Sequence, residues 1–118
     1  MVLVLVGYPM TRINIVPLSV NKVWQGKRFK TPAYSKYENI VLLMLPKIDI
    51  PMPPFKVIIE LGFSSKLSDI DNPLKPILDI LQKKYYINDK DIFELNVKKE
   101  IVKKGDEFFK FKIIHYDI

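Results

Sequence analysis

Nine prolines punctuate this 118-residue chain, and their positions fix where helices can begin and where they must stop. Thr31-Pro32 reads as a helix start, because the threonine hydroxyl can cap free backbone N–H groups and proline at the first helical position gives up no hydrogen bond. That helix is expected to run to about Leu45, where Pro46, Pro51, Pro53 and Pro54 end it and stiffen the connector beyond. Asn72-Pro73 repeats the signal: a capping residue, then proline, then Leu74, Ile77, Leu78 and Leu81 spaced to form one buried face ending near Lys84.

The stretches left over read as strands. Residues 2–6 and 12–16 are aliphatic and β-branched, with Gly7, Tyr8 and Pro9 between them, and Phe55 to Phe63 alternates in apolar character. Asp91 to Lys103 and Glu107 to Tyr116 look like two strands of a hairpin joined at Lys104-Gly105-Asp106. The order is β-α-β-α-β-β, which predicts an α+β fold with two helices covering a small mixed sheet of about four strands. A single domain spanning residues 1–118 is expected, with residues 1–11 as an amino-terminal extension.

Composition removes several function classes. With no cysteine there are no disulfides and no thiolate-bound zinc or iron–sulfur cluster, and a single histidine, His115, argues against an imidazole zinc site. Any metal must be held by oxygen. No apolar run approaches a membrane span, and the start MVLVLVG lacks the basic flank of a signal peptide, so a reducing, cytoplasmic setting is expected. The net charge of +6 is uneven: residues 1–68 hold nine Lys or Arg against three Asp or Glu, whereas residues 69–118 hold ten of each. A basic first half favours a polyanionic partner, nucleic acid before membrane, although an AT-rich genome also enriches lysine. Residues 17–31, PLSVNKVWQGKRFKT, read as an ordered basic loop.

The chemically informative stretch is SDIDNPLKPILDILQKKYYINDKD, residues 68–91, which holds Asp69, Asp71, Asp79, Asp89 and Asp91. On an extended strand end, residues two apart point the same way, so Asp69 and Asp71 are expected to present two carboxylates to one point. The chain returns through Tyr85, Tyr86 and Ile87 to Asp89, which adds a third if the next strand pairs beside the preceding one. Clustered carboxylates repel unless a divalent cation compensates, and oxygen donors suit magnesium or manganese. Lys75, four residues after Asp71, could neutralise a phosphate on the same side. The same residues also make an ordinary surface, with an acid at a helix start and Asp71, Lys75 and Asp79 as ion pairs. Spacing alone leaves both readings open. An EF-hand is excluded: counting from Asp69, Leu74 stands where glycine is required and Ile80 where the closing glutamate belongs. His115 lies alone in a terminal strand, which gives Ser/His/Asp catalysis little support.

The pairing of PLSVNKVWQGKRFKTPAYSKY, residues 17–37, with DIDNPLKPILDIL and a later NDKDI resembles the RusA-type Holliday junction resolvases, small endodeoxyribonucleases of phages and prophages. The likeness extends over about residues 12–116. It implies a homodimer that binds four-way DNA junctions and cuts paired strands symmetrically with magnesium, manganese being able to substitute, and it implies no small-molecule cofactor and no membrane. Carried across residue by residue, it makes Asp69, Asp71 and Asp89 the metal-associated catalytic acids and Lys75 the basic residue needed for cleavage. Asn21, Trp24, Lys27 and Arg28 match the family's amino-terminal basic and aromatic segment; with Lys30, Lys66 and Asn72 they are the candidate DNA contacts. Val2 to Val6 and the Tyr85-Tyr86 pair are candidates for the dimer surface. Two other readings stand beside this one: a less selective nuclease of flaps and branched DNA, and a DNA-binding module without catalysis, which would have no use for acids that weaken phosphate binding.

Overall fold

The computed structural model describes residues 10–18, 24–25 and 29–117. Its strands are β1 (Thr11–Ile13), β2 (Trp24–Gln25), β3 (Phe29–Lys30), β4 (Phe55–Phe63), β5 (Ile92–Ile101) and β6 (Phe108–His115), and its helices are α1 (Pro32–Met44) and α2 (Leu74–Tyr85). The fold is α+β: a four-stranded mixed sheet in the order β1-β6-β4-β5, two helices, and a separate two-stranded ladder of β2 with β3 inside the basic segment. The strand expected over residues 2–6 lies outside the described residues, and that over 12–16 shortens to β1.

Strand β4 forms the middle of the sheet because its sequence buries well on both faces. Phe55, Val57, Ile59, Leu61 and Phe63 are buried on one face, and Gly62 is buried on the other. It pairs antiparallel with β6 on one edge, Ile59 opposite Phe111 and Leu61 opposite Phe109, and parallel with β5 on the other, Val57 beside Leu95 and Phe63 beside Ile101. Against the shared apolar face lie Tyr34, Tyr37 and Val41 of α1 and Ile77, Ile80 and Leu81 of α2, forming one core.

Helix α1 begins as its sequence requires. Thr31 is extended and its Oγ1 accepts from the Tyr34 amide at 3.1 Å, with Pro32 in the first turn. Helix α2 begins differently from expectation. Its N-cap is Pro73 in helical conformation with no side-chain cap bond, and Asn72 Nδ2 instead donates to Asp69 Oδ2 at 2.9 Å. The helix opens instead from a backbone turn in which the Leu74 amide meets the Asp71 carbonyl at 3.1 Å. Helices α1 and α2 are tied by Lys83 Nζ to Glu38 Oε1 at 3.0 Å and by Lys84 Nζ to the Leu42 carbonyl at 3.3 Å. The Tyr85 hydroxyl donates to the Pro46 carbonyl at 2.7 Å, whereas Tyr86 is almost fully exposed in left-handed conformation with φ 55°.

The expected β5–β6 hairpin is not formed. The turn chemistry is present, with the Asp106 amide bonded to the Lys103 carbonyl at 2.9 Å and Gly105 at φ +99°, but β4 lies between the two strands. The connection crosses the end of β4, where the Val102 amide reaches the Phe63 carbonyl at 2.7 Å. The physical reason is burial: β4 has the apolar residues for a central place, while the half-exposed, charge-bearing β5 suits an edge.

On the sheet face away from the helices, Phe108 lies directly across from Gly62 and is buried there, with the Arg12 guanidinium 4.0 Å above its ring. A Cβ on Gly62 would stand 2.3 Å from the Phe108 ring. Gly62→Ala is therefore expected to displace that ring and cost about 1–3 kcal/mol, seen as a lower urea midpoint at unchanged slope.

Candidate active site

Strand β4 ends at Phe63, well before the acidic segment, so Asp69 and Asp71 do not sit on an extended strand end. They lie in a bent loop, and the alternation that would aim them at one point does not apply. The loop is tied to the sheet from below: Lys99 of β5 donates its Nζ to the Lys66 carbonyl at 3.3 Å and to that of Ser68. A Ser65 hydroxyl accepting from the Leu67 amide at 3.1 Å, and the Leu74 amide bonding the Asp71 carbonyl at 3.1 Å, shape its two halves.

The structure divides the predicted acids between two depressions. Asp71, Lys75 and Asp89 line one groove of about 270 Å³, together with Asp79 and Gln82, over an apolar floor of Leu74, Leu78 and Leu95. Asp69 lines another pocket of about 270 Å³ with Asn72, Phe63 and Glu107. Within the first groove Asp71 precedes α2 and Asp89 comes after it, so they mark opposite ends. The Asp89 end is fixed by Gln82, whose Oε1 accepts from the Asp89 amide at 3.2 Å while its Nε2 donates to the Leu78 carbonyl at 3.2 Å. Asn88 caps the short 3₁₀ turn Asp89–Asp91 by accepting from the Lys90 amide at 3.0 Å. Gln82 was not singled out from sequence; the only available signal was its place two turns after Lys75 on the α2 face that carries Lys75 and Asp79.

Lys75 Nζ rests 3.4 Å from Asp79 Oδ1, an i,i+4 pair with both side chains well exposed. The surface ion-pair reading of these residues thus describes one contact, yet the pair sits on the groove rather than on a featureless helix face. In the neighbouring pocket, hydrogen bonds from its own amide, the Ser64 hydroxyl and the Gly105 amide hold Glu107 below the usual glutamate range. Beneath the helices, burial and the Glu38 carboxylate push the Tyr34 phenol up, with the Tyr34 hydroxyl donating to Glu38 Oε2 at 3.1 Å.

Apart from Lys75, the groove's polar side chains offer carboxylate and amide oxygens, the donor chemistry of a hard divalent cation. Among the described residues no three His, Asp or Glu side chains stand close enough to hold a metal ion by themselves. Magnesium commonly takes one or two carboxylates and leaves the rest of its shell to water and substrate phosphate. Asp71 and Asp89, at opposite ends of the groove, could each offer such an ion a single carboxylate.

Of the candidate DNA contacts, Lys66 is exposed on the loop before Asp69, and Asn72 is half-buried against Asp69. Trp24 and Lys30 fall on the β2–β3 ladder, while Asn21, Lys27 and Arg28 lie outside the described residues, as do Val2 to Val6. His115 is exposed at the end of β6, its Nδ1 2.7 Å from the Met52 carbonyl and far in sequence from the groove.

The family model for endodeoxyribonuclease RusA matches residues 18–107, well over half of the chain and a span that holds every groove residue. The chain belongs to the RusA family. The resemblance carried by residues 17–37, the DIDN segment and NDKDI is thus a true kinship, and the family is one of Holliday junction resolvases that hydrolyse phosphodiesters within DNA strands. No curated protein matches the chain. Among the described residues no helix of this RusA-family chain is long and apolar enough to cross a membrane.

The Gln82 contacts define a role testable without DNA. Gln82→Met keeps the length of the side chain and removes both hydrogen bonds, so about 0.5–1.5 kcal/mol of stability should be lost. Faster hydrogen exchange at the Asp89 amide, with α2 otherwise protected, is the expected signature by NMR.

Proposed function

We propose that this RusA-family chain is a metal-dependent, structure-selective endonuclease that resolves four-way DNA junctions by paired symmetrical cuts, acting as a homodimer with magnesium, or manganese in its place. The observation that supports it is the groove along α2, where Asp71, Lys75 and Asp89 share one surface in a member of an endodeoxyribonuclease family. A binding module without catalysis would gain nothing from acids placed there, since each one repels the phosphate backbone.

The residues divide the work by charge. Asp71, the groove acid on the Lys75 side, would give the ion a carboxylate ligand, and its remaining oxygen would accept a hydrogen bond from the attacking water and orient it for in-line displacement, while the metal role of Asp89, at the far end of the groove, rests on family kinship. When bound, the ion supplies Lewis-acid polarisation of the phosphate and a more acidic water. Lys75 leaves Asp79 to place its ammonium on a non-bridging phosphate oxygen, where charge grows in the transition state. Asp69, held by Asn72, stands on the adjoining pocket and carries its role by family kinship. Exposed Lys66 beside this loop and the basic segment around β2 and β3 would track the DNA backbone.

The test is cleavage of an end-labelled mobile four-way junction, with magnesium, with chelator, and against linear duplex. Asp71→Asn should abolish cutting while junction binding in a gel-shift assay is retained or tightened, because a negative charge facing DNA is removed. Lys75→Ala should lower the single-turnover rate by about two orders of magnitude or more with the circular dichroism spectrum unchanged. Equal cutting of flaps and junctions would favour the less selective nuclease, and tight binding without metal-dependent cutting would favour the binding module.

A further inference from the structure

The connector after α1 has a sequence that resists helix. Pro46 and Pro51 bracket Lys47, Ile48, Asp49 and Ile50, and steric pressure from Pro51 steers Ile50 toward extended backbone. Burial alternates along the segment: Lys47 and Asp49 are exposed, whereas Ile48 and Ile50 are half-buried against the core. None of these four residues makes a backbone hydrogen bond to a described residue, which leaves a short strand-like edge with unpaired amides and carbonyls.

This connector runs past the carboxyl-terminal ends of α1 and α2 and with them encloses a groove of about 690 Å³, inside the range of about 300–1,000 Å³ usual for ligand clefts. Leu42, Ile48 and Ile50 give it an apolar floor. Tyr86 stands at its edge, an exposed aromatic ring on the left-handed residue that closes α2. The lining also holds Lys47, Lys83 and Lys84 and no acid. Lys83 faces Glu38 and Lys84 the Leu42 carbonyl, whereas Lys47 has no hydrogen-bond or ion-pair partner among the described residues. The walls are set before anything binds, since the Lys84 contact and the bond from the Tyr85 hydroxyl to the Pro46 carbonyl tie α2 to α1 and to the connector. No residue of this groove lines the one that carries Asp71, Lys75 and Asp89.

We propose that this groove docks an extended acidic peptide of a partner protein, its apolar side chains on the floor of Leu42, Ile48 and Ile50 and its carboxylates on the surrounding lysines. Charge complementarity selects the occupant. Three cations and no acid around an apolar floor suit a segment that alternates carboxylates with large apolar residues, and such a segment also finds the open amides of the connector, as peptides do at strand edges. DNA fits less well: its phosphates match the lysines, but a duplex backbone has no apolar groups to cover the floor. Residues 1–9 of this chain, MVLVLVGYP, match the floor and carry no acid for the lysines. Docking here is independent of the nuclease reading, because the two grooves are separate.

The probe is a fluorescein-labelled synthetic peptide, Asp-Phe-Asp-Ile-Asp-Leu, titrated into the full chain at about 0.15 M salt and read by fluorescence anisotropy. Saturable binding is expected. Lys47→Glu should weaken it by about tenfold or more, because a carboxylate then faces the acids of the peptide. Tyr86→Asn, chosen because asparagine tolerates left-handed backbone, should weaken it by about fivefold with an unchanged circular dichroism spectrum. A peptide with glycine for each apolar residue, and another with lysine for each acid, should each bind about tenfold more weakly or worse. Absence of saturable binding, or equal binding of the glycine peptide, would overturn the proposal. Displacement of the probe by a single-stranded oligonucleotide of equal charge as readily as by unlabelled peptide would overturn it in favour of a DNA contact. A dimer seen by light scattering that Lys47→Glu dissolves would overturn it in favour of a contact between copies of this chain.

Discussion

The parallel alignment of β4 and β5 governs everything built around it. Two parallel neighbours require the chain to travel back along the sheet between them, and here α2 makes that return. The direction of the helix is therefore set by hydrogen bonding in the sheet, and with it the positions of every residue on the helix and in the segments that flank it. The registers of Val57 with Leu95 and Ile59 with Val97 make the alignment costly to change, because a slip of one residue would turn Val97, half-buried against the core, outward. The two segments that flank α2 must then stand at opposite ends of the domain.

The groove inherits its form from this arrangement. Helix α2 supplies Lys75, Asp79 and Gln82 at successive turns, the loop before it supplies Asp71, and the 3₁₀ turn after it supplies Asp89. One anchor outside the groove and one on its wall hold the two flanks in place. Lys99 grips the carbonyls of the leading loop, and Gln82 grips the amide of the trailing turn. Neither anchor has a titratable task, and both satisfy backbone groups that would otherwise be left to water at the edge of a charged surface.

Local signals in the sequence were a good guide to local structure. Thr31-Pro32 capped a helix as expected, Phe55 to Phe63 became a strand with those limits, and Leu74, Ile77, Leu78 and Leu81 turned toward the core. Where the sequence misled, a distant partner had intervened. Asn72 looked like a helix cap and became a ligand of Asp69; Gly105 promised a hairpin and instead marked a passage across β4. Asp71, Lys75 and Asp89 stood out because their spacing resembles that of the RusA-type resolvases. Their separation along α2 was not legible, since it depends on the pairing direction of β5, which no residue spells out.

The Lys75–Asp79 contact carries a kinetic meaning beyond its small energy. An exposed i,i+4 pair of this kind is worth about 0.3–0.5 kcal/mol, so it is open roughly a third of the time even before salt screens it. The ammonium thus shuttles between a partner on its own helix and the solvent many times during any diffusive encounter, and it needs no triggered rearrangement to change hands. An arriving phosphate competes only against a weak, rapidly exchanging tenant, while in the absence of anions the carboxylate keeps the long side chain folded along the rim, out of the way of whatever enters.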